Sequence, residues 1–276
     1  MPKLLRANFS RLLHDRAFRL LSVLMAFFGV SMAVVNAVHA RQDGDIWVMD
    51  YTLFIYVILA PIVHAVLAAL FIGNEHSSGA MRNKCIAGHR RGCIYLANLL
   101  VCICAGICLC LAFALPQAAA GLLLKGERNA PLSGILLYAG LSVAMMIAFT
   151  ALFTLIAMLC RNRSHTTAGC ILLTVVLLFA GVYISSTLDE PEYLDAYSYT
   201  ENGVTVEEPE QKNPYYITGT KRQVYEFLLD LTPGGQVIQI SEMGVKKPVM
   251  LALYDGLILL LVTGFGLALF RREDLK

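Results

Sequence analysis

Charge is scarce in this chain. Of its 276 residues only 15% are Asp, Glu, Lys or Arg while 57% are hydrophobic, and the stretches 93–115 and 132–160 contain no charged residue at all. A chain so composed cannot hide its apolar surface in one soluble core, so a water-soluble fold is excluded. The formal net charge of +2 gives no electrostatic footprint for nucleic acid. Several motifs are missing as well. There is no G-x4-G-K-[ST] loop, which removes the usual apparatus for cradling ATP phosphates. There is no H-E-x2-H, since His64 and Glu75-His76 fall at different depths. A serine protease of the membrane interior needs G-x-S-G within a span. The nearest string, His76-Ser77-Ser78-Gly79, lacks the first Gly and lies outside the apolar runs. Clustered carboxylates at membrane depth are absent too. An intramembrane enzyme is therefore disfavoured, and no catalytic, cofactor-binding or metal-binding residue is assigned.

What is present is apolar length. Six stretches reach the roughly 20 residues a membrane span needs: 17–38, 51–72, 93–115, 132–160, 166–185 and 248–270. The expected fold class is an all-α polytopic membrane protein, one transmembrane domain over residues 1–276 with the lipid bilayer as its solvent. With six spans both termini share a side. That side collects Lys3, Arg6, Arg11, Arg16 and Arg19, then Arg82, Lys84, Arg90 and Arg91, then Arg161 and Arg163, and finally Arg271, Arg272 and Lys276. By the positive-inside rule it is the cytoplasmic side. The acidic segment 189–242 lies on the other. All eight cysteines fall in spans or on the basic side, so no external disulfide framework is indicated. The location expected is a bacterial inner membrane or a comparable one.

The N-terminus has two readings. Basic residues before an apolar run, with Val38-His39-Ala40 after it, suggest a signal peptide. The run is longer than a signal core of about 7–15 residues, which favours a span. Within 3–16, Leu5, Phe9, Leu12 and Leu13 form a helical stripe with Lys3, Arg6 and Arg11 off it, the pattern of an amphipathic helix lying on the membrane. The pairs Cys102-x-Cys104 and Cys108-x-Cys110 invite a soft-metal reading. On a helix only Cys104 and Cys108 share a face, which favours packing. Pro61 and Pro116 are candidate kinks or hinges.

Two polar residues stand out at membrane depth, where they are candidates for a transport pathway. His64 lies mid-span in 51–72. It reads either as a neutral imidazole bonded between helices or as a proton or substrate ligand. Asp255 lies inside 248–270, or near the outer headgroups if that span begins later. The last outer loop, 186–247, is acidic and tyrosine-rich at first and too poor in aliphatic residues for a large core. Beyond it, Val224, Phe227, Leu228 and Leu231 fall at helical spacing. Thr232-Pro233 then offers a cap and first position for a second short helix.

The most informative segment is 75–91, EHSSGAMRNKCIAGHRR, a polar insert between the second and third spans within a loop at 73–92. It reads E-x3-G-x2-R and closes on Arg90-Arg91. It resembles the cytoplasmic coupling segment of type-2 ATP-binding-cassette (ABC) exporter permeases, E-x3-G-T-x-[KR] followed by Pro, Arg and a Lys in the next span. Glu75, Gly79, Arg82 and Arg91 match in spacing, whereas Ala80, Gly88 and Asn98 stand where the family has Thr, Pro and Lys. Gly79 would permit the turn. Glu75 and Arg82, seven apart, would face one partner surface if their helix were continuous.

The resemblance, similar to bacterial drug and antimicrobial-peptide exporter permeases, extends over nearly the whole chain. It implies a permease subunit that pairs with a second permease subunit, identical or related. Each would dock on a separate ABC ATPase subunit that binds ATP and Mg. It further implies outward movement of an amphipathic peptide, drug or lipid-like molecule. A non-transporting sensor or immunity protein, binding its ligand through the acidic outer loop, is the alternative.

Overall fold

The short helix α1 (Pro2–His14) turns at Asp15 into the long helix α2 (Arg16–Asp43). Asp15 makes that corner by accepting the Ala17 and Phe18 N–H groups on its side chain, an N-cap for α2. The computed structural model describes residues 1–44, 46–160, 162–194, 197–201, 204–208 and 210–272. Six of its helices are long and apolar enough to cross a membrane. They are α2, α4 (Tyr56–Ser77), α6 (Arg91–Leu123), α7 (Leu132–Leu159), α8 (Arg163–Asp189) and α11 (Pro248–Arg272). The all-α polytopic architecture holds.

Boundaries differ from the hydropathy pattern in instructive ways. The second apolar run is split into α3 (Asp50–Leu53) and α4, with Phe54 and Ile55 in a turn between them. At its other end α4 continues to Ser77, which carries Glu75 inside the helix rather than into a loop. Pro116 does not end the third run, and α6 continues to Leu123. Packing outweighs the lost backbone bond. α2 lies against α6 so closely that a side chain at Gly29 would collide with the Phe113 carbonyl.

α4 is the central helix, with α2, α6, α7 and α8 packed around it. On α1 the buried face is Leu4, Asn8 and Leu12, with Leu5 and Phe9 packed beside it. Leu13, expected in the stripe, is exposed. α1 lies against α6 as well as α2, so tertiary contact and not lipid alone selects its face. The two connections before α3 and α7 are tied together. Met49 N–H donates to Glu127 O and Glu127 N–H to Trp47 O, and Asp50 accepts from the Asn129 and Ala130 N–H groups.

The segment between α8 and α11 contains strands that the sequence did not announce. β1 (Tyr193–Leu194) pairs antiparallel with β4 (Gln211–Lys212), and β2 (Tyr197–Glu201) with β3 (Val204–Glu208), a nested ribbon. The helix pair follows as α9 (Gly219–Leu231) and α10 (Pro233–Ser241), with Thr232 capping α10 through Gly235 N–H. α10 is almost wholly buried, against α8, α7 and α4. Its Gly234 abuts the Leu177 carbonyl, twelve residues before the C-terminal end of α8. At 1.5 Å per residue that is about 18 Å into the bundle. The pair is re-entrant. Its return is pinned by the Tyr138 hydroxyl, which donates to Met243 O and accepts from Val245 N–H. Met243 needs that hold because it sits at φ 54°, in the left-handed region that side chains disfavour. Tyr138→Phe is expected to lower stability by about 1–2 kcal/mol, readable as a drop in unfolding temperature in detergent.

Candidate functional site

Topology brings the start of α2, the end of α4 and the starts of α6 and α8 to one face of the bundle. α5 (Ala80–Ile86) projects there, separated from α4 by a sharp turn. Gly79 makes the turn with φ 69°, a conformation that a side chain would strain. Glu75 and Arg82 therefore lie on two helices and not on one continuous face. Arg82 is exposed on α5, as are Asn83 and Ile86, the last at 77%. Met81 anchors the other side of α5 in the core. Arg91 opens α6 and donates to the Arg271 carbonyl at 3.1 Å, tying the end of α11 to the re-entry point.

Glu75 is not a surface contact at all: it is fully buried. Its Oε1 receives both the Arg11 guanidinium from α1 and the Lys84 ammonium from α5. Its Oε2 accepts from the Asn98 amide of α6 at 2.8 Å. The Asn98 carbonyl oxygen in turn accepts from the Asn8 amide at 2.7 Å, and the Asn8 oxygen accepts from Lys84 at 3.0 Å. These bonds close a ring, Glu75 to Asn98 to Asn8 to Lys84 and back, in which each amide donates once and accepts once. One residue comes from each of α4, α6, α1 and α5. The Arg11 guanidinium also lies over the Phe71 ring, 3.8 Å from its centre. Burial pulls the Lys84 ammonium below its usual range, against the opposing pull of Glu75. Where the resemblance expects a Lys in the third span, Asn98 relays to a cation supplied by α5.

The sequence pattern identified Glu75 and missed three members of the network around it. Asn8 and Lys84 lie far from it in sequence or on another helix, and Arg11 looked like one more basic residue of a surface helix. The signal that was available is the Asn at position 8, polar among Leu4, Leu5, Phe9 and Leu12 on the buried side of α1.

A family model described as ABC-2 family transporter protein matches residues 4–181, from α1 into α8. The chain belongs to the ABC-2 transporter family. It is a membrane-spanning permease of an ABC transporter, of the kind that normally works with an ABC ATPase. A search of curated proteins returned no match. The ABC-2 match takes in the whole Glu75 ring, and α9, α10 and α11 lie beyond it.

The two intramembrane residues are held apart. His64 is fully buried on α4, with Nε2 at 2.9 Å from Thr150 Oγ1 of α7. Thr150 already donates its hydroxyl proton to Met146 O, so its oxygen accepts from His64 Nε2–H. Nδ1 is left without a partner. Gly106 of α6 makes the room, since a Cβ there would sit 3.2 Å from Nε2. Asp255 lies in the second turn of α11, 2% exposed, and among the described residues neither carboxylate oxygen has a well-formed hydrogen bond. Its polar neighbour is Gln236 of the re-entrant α10. It faces protein rather than headgroups. Cys102 and Cys110 are buried, Cys108 is exposed, and α6 is unbroken across them, so these thiols are spread over different faces.

Proposed function

We propose that this permease exports an amphipathic molecule, a peptide antibiotic, drug or lipid-like compound, with ATP and Mg bound by a partner ABC ATPase. Two permease subunits, identical or related, would pair in a bacterial inner membrane with both termini in the cytoplasm. The observation that carries the coupling part is the buried Glu75 ring. It joins the surface helix α1, the central helix α4 and the third span α6 to the projecting helix α5, so a push on α5 is passed to all three. The exposed side of α5, with Arg82, Asn83 and Ile86, is then the ATPase contact, and Glu75 is the anchor behind it. Gly79 and Arg91 bound the moving piece. His64 and Asp255 are the polar residues along the path, one in the central helix and one beside the re-entrant hairpin. Uncharged spans suit an amphipathic cargo.

The test separates contact from anchor. Arg82→Ala and Ile86→Asp change groups that are exposed, so stability should move by no more than about 0.5 kcal/mol. Recovery of the ATPase with the tagged permease should fall about ten-fold, as for loss of an interface anchor. Undiminished recovery and transport in both variants would remove α5 as the contact.

A further inference from the structure

At the end of α4 opposite the Glu75 ring, about 30 Å away along the helix, three connections enclose a cavity of about 580 Å³. Val48 and Asp50 come from the start of α3 and the residues before it, and Asn129 and Ala130 from the connection before α7. Ser241, Glu242 and Met243 come from the end of α10 and the turn after it. These walls are fixed to one another. The first two connections are joined through Glu127, and the third is held to α7 by the Tyr138 hydroxyl at Met243 and Val245. A preformed recess of this size is what small molecules occupy.

Two carboxylates set the chemistry of the cavity. Asp50 is only 5% exposed. Its Oδ2 accepts from the Asn129 and Ala130 N–H groups at 2.7 and 2.6 Å, which leaves Oδ1 for the cavity. That oxygen is buried and has no partner among the described residues, and leaving a buried acceptor without a donor is costly. Glu242, on another wall, is exposed and makes no ion pair among the described residues. Among the described residues no lysine, arginine or histidine lines the cavity, while Val48, Ala130 and Met243 supply apolar surface.

We propose that this cavity binds an organic ammonium ion, a protonated amine carried on a short apolar body. The ammonium donates to Asp50 Oδ1 and lies beside Glu242, and the body rests on Val48, Ala130 and Met243. An ammonium brings three donors and a positive charge, which answers both carboxylates at once. A hard divalent cation such as calcium takes about six to eight oxygens in a tight shell, and two carboxylates in so large a space do not make one. The ethanolamine headgroup of a phospholipid has the same donor but brings a phosphate, which anionic walls with no cation repel. The site requires neither the export reading nor the Glu75 ring.

Fluorine NMR titration of the full chain in detergent tests it with para-fluorophenethylamine and its neutral isostere para-fluorophenethyl alcohol, with protein-free detergent as the baseline. The amine should bind about ten-fold more tightly than the alcohol, the difference between a charged and a neutral donor. Asp50→Asn keeps an oxygen for the Asn129 and Ala130 N–H groups and puts an NH₂ where Oδ1 stood, so it should remove that preference. Glu242→Gln alters an exposed group that the fold does not need and should weaken the amine about three-fold. Glu192→Gln with Glu210→Gln, exposed acids outside the cavity, should change nothing. Equal binding of amine and alcohol would leave only an apolar recess and overturn the site. Equal loss in the Glu242→Gln and Glu192→Gln/Glu210→Gln chains would reduce it to diffuse surface charge. Displacement of the amine by millimolar calcium at constant ionic strength would make it a metal site, and displacement by phosphatidylethanolamine but not phosphatidylcholine a headgroup site. Each of these results also overturns the proposal.

Discussion

Glu75→Gln is expected to abolish coupled transport and to loosen α5, because it removes the carboxylate that the Arg11 and Lys84 cations share. The glutamine keeps the shape and can still accept one bond, so any loss reports charge. Stripping the counter-ion from a buried pair typically costs about 3–5 kcal/mol. The lower end applies here, since the Arg11 side chain is 34% exposed and can turn its charge toward water. Cys85 on α5, partly buried, offers a readout that needs no substrate. With the other cysteines replaced by alanine, maleimide should label Cys85 several-fold faster in the Glu75→Gln chain. Adding Lys84→Met should recover most of the stability, since the buried cation is then gone as well and the remaining one, Arg11, is partly exposed. Transport should stay lost, because α5 remains detached from α4. Wild-type labelling and transport in Glu75→Gln would show that the ring is not the link.

Gly234→Ala should be the most damaging single-carbon change outside that ring. A Cβ at Gly234 would overlap the Leu177 carbonyl, and one at Gly181 would overlap the Gly234 backbone. Both obstacles are backbone, so no side-chain rotation relieves them. Overpacking costs about 1–3 kcal/mol where neighbours can give way, and the upper end is expected. The visible consequence is displacement of α10. Val237, fully buried on α10, replaced by Cys should be inert to an aqueous thiol reagent alone and reactive when Gly234→Ala is present. Gly256→Ala is the control, since a Cβ there meets nothing. Protection of that cysteine in the Gly234→Ala chain would mean that α8 and α10 are not locked by this contact.

Much of this protein was legible from sequence, and the failures have physical causes. Apolar length is a local property, so the six spans were countable. Their ends were not, because Pro116 and the run at residues 73–77 obey packing rather than hydropathy. The E-x3-G-x2-R spacing marked a segment that folds as a helix end, a turn and a short helix, and Gly79 makes that turn. Glu75 and Arg82 would have shared a face only on a continuous helix, and the left-handed Gly79 redirects the chain between them. The stripe on α1 was displaced because Leu13 satisfies the helical period equally well. Contact with α6 and α2 chose Leu4, Asn8 and Leu12.

By itself, the sequence determined the class, the spans, the basic face and the polar segment at residues 75–91. Each follows from composition or spacing within one stretch of chain. Only the tertiary structure decided that Glu75 is a buried hub and that α10 re-enters the bundle. Those depend on residues distant in sequence being brought together, Arg11 with Glu75 across 64 positions and Gly234 with Leu177 on another helix, and a buried carboxylate reveals its partners only when the chain has closed around it.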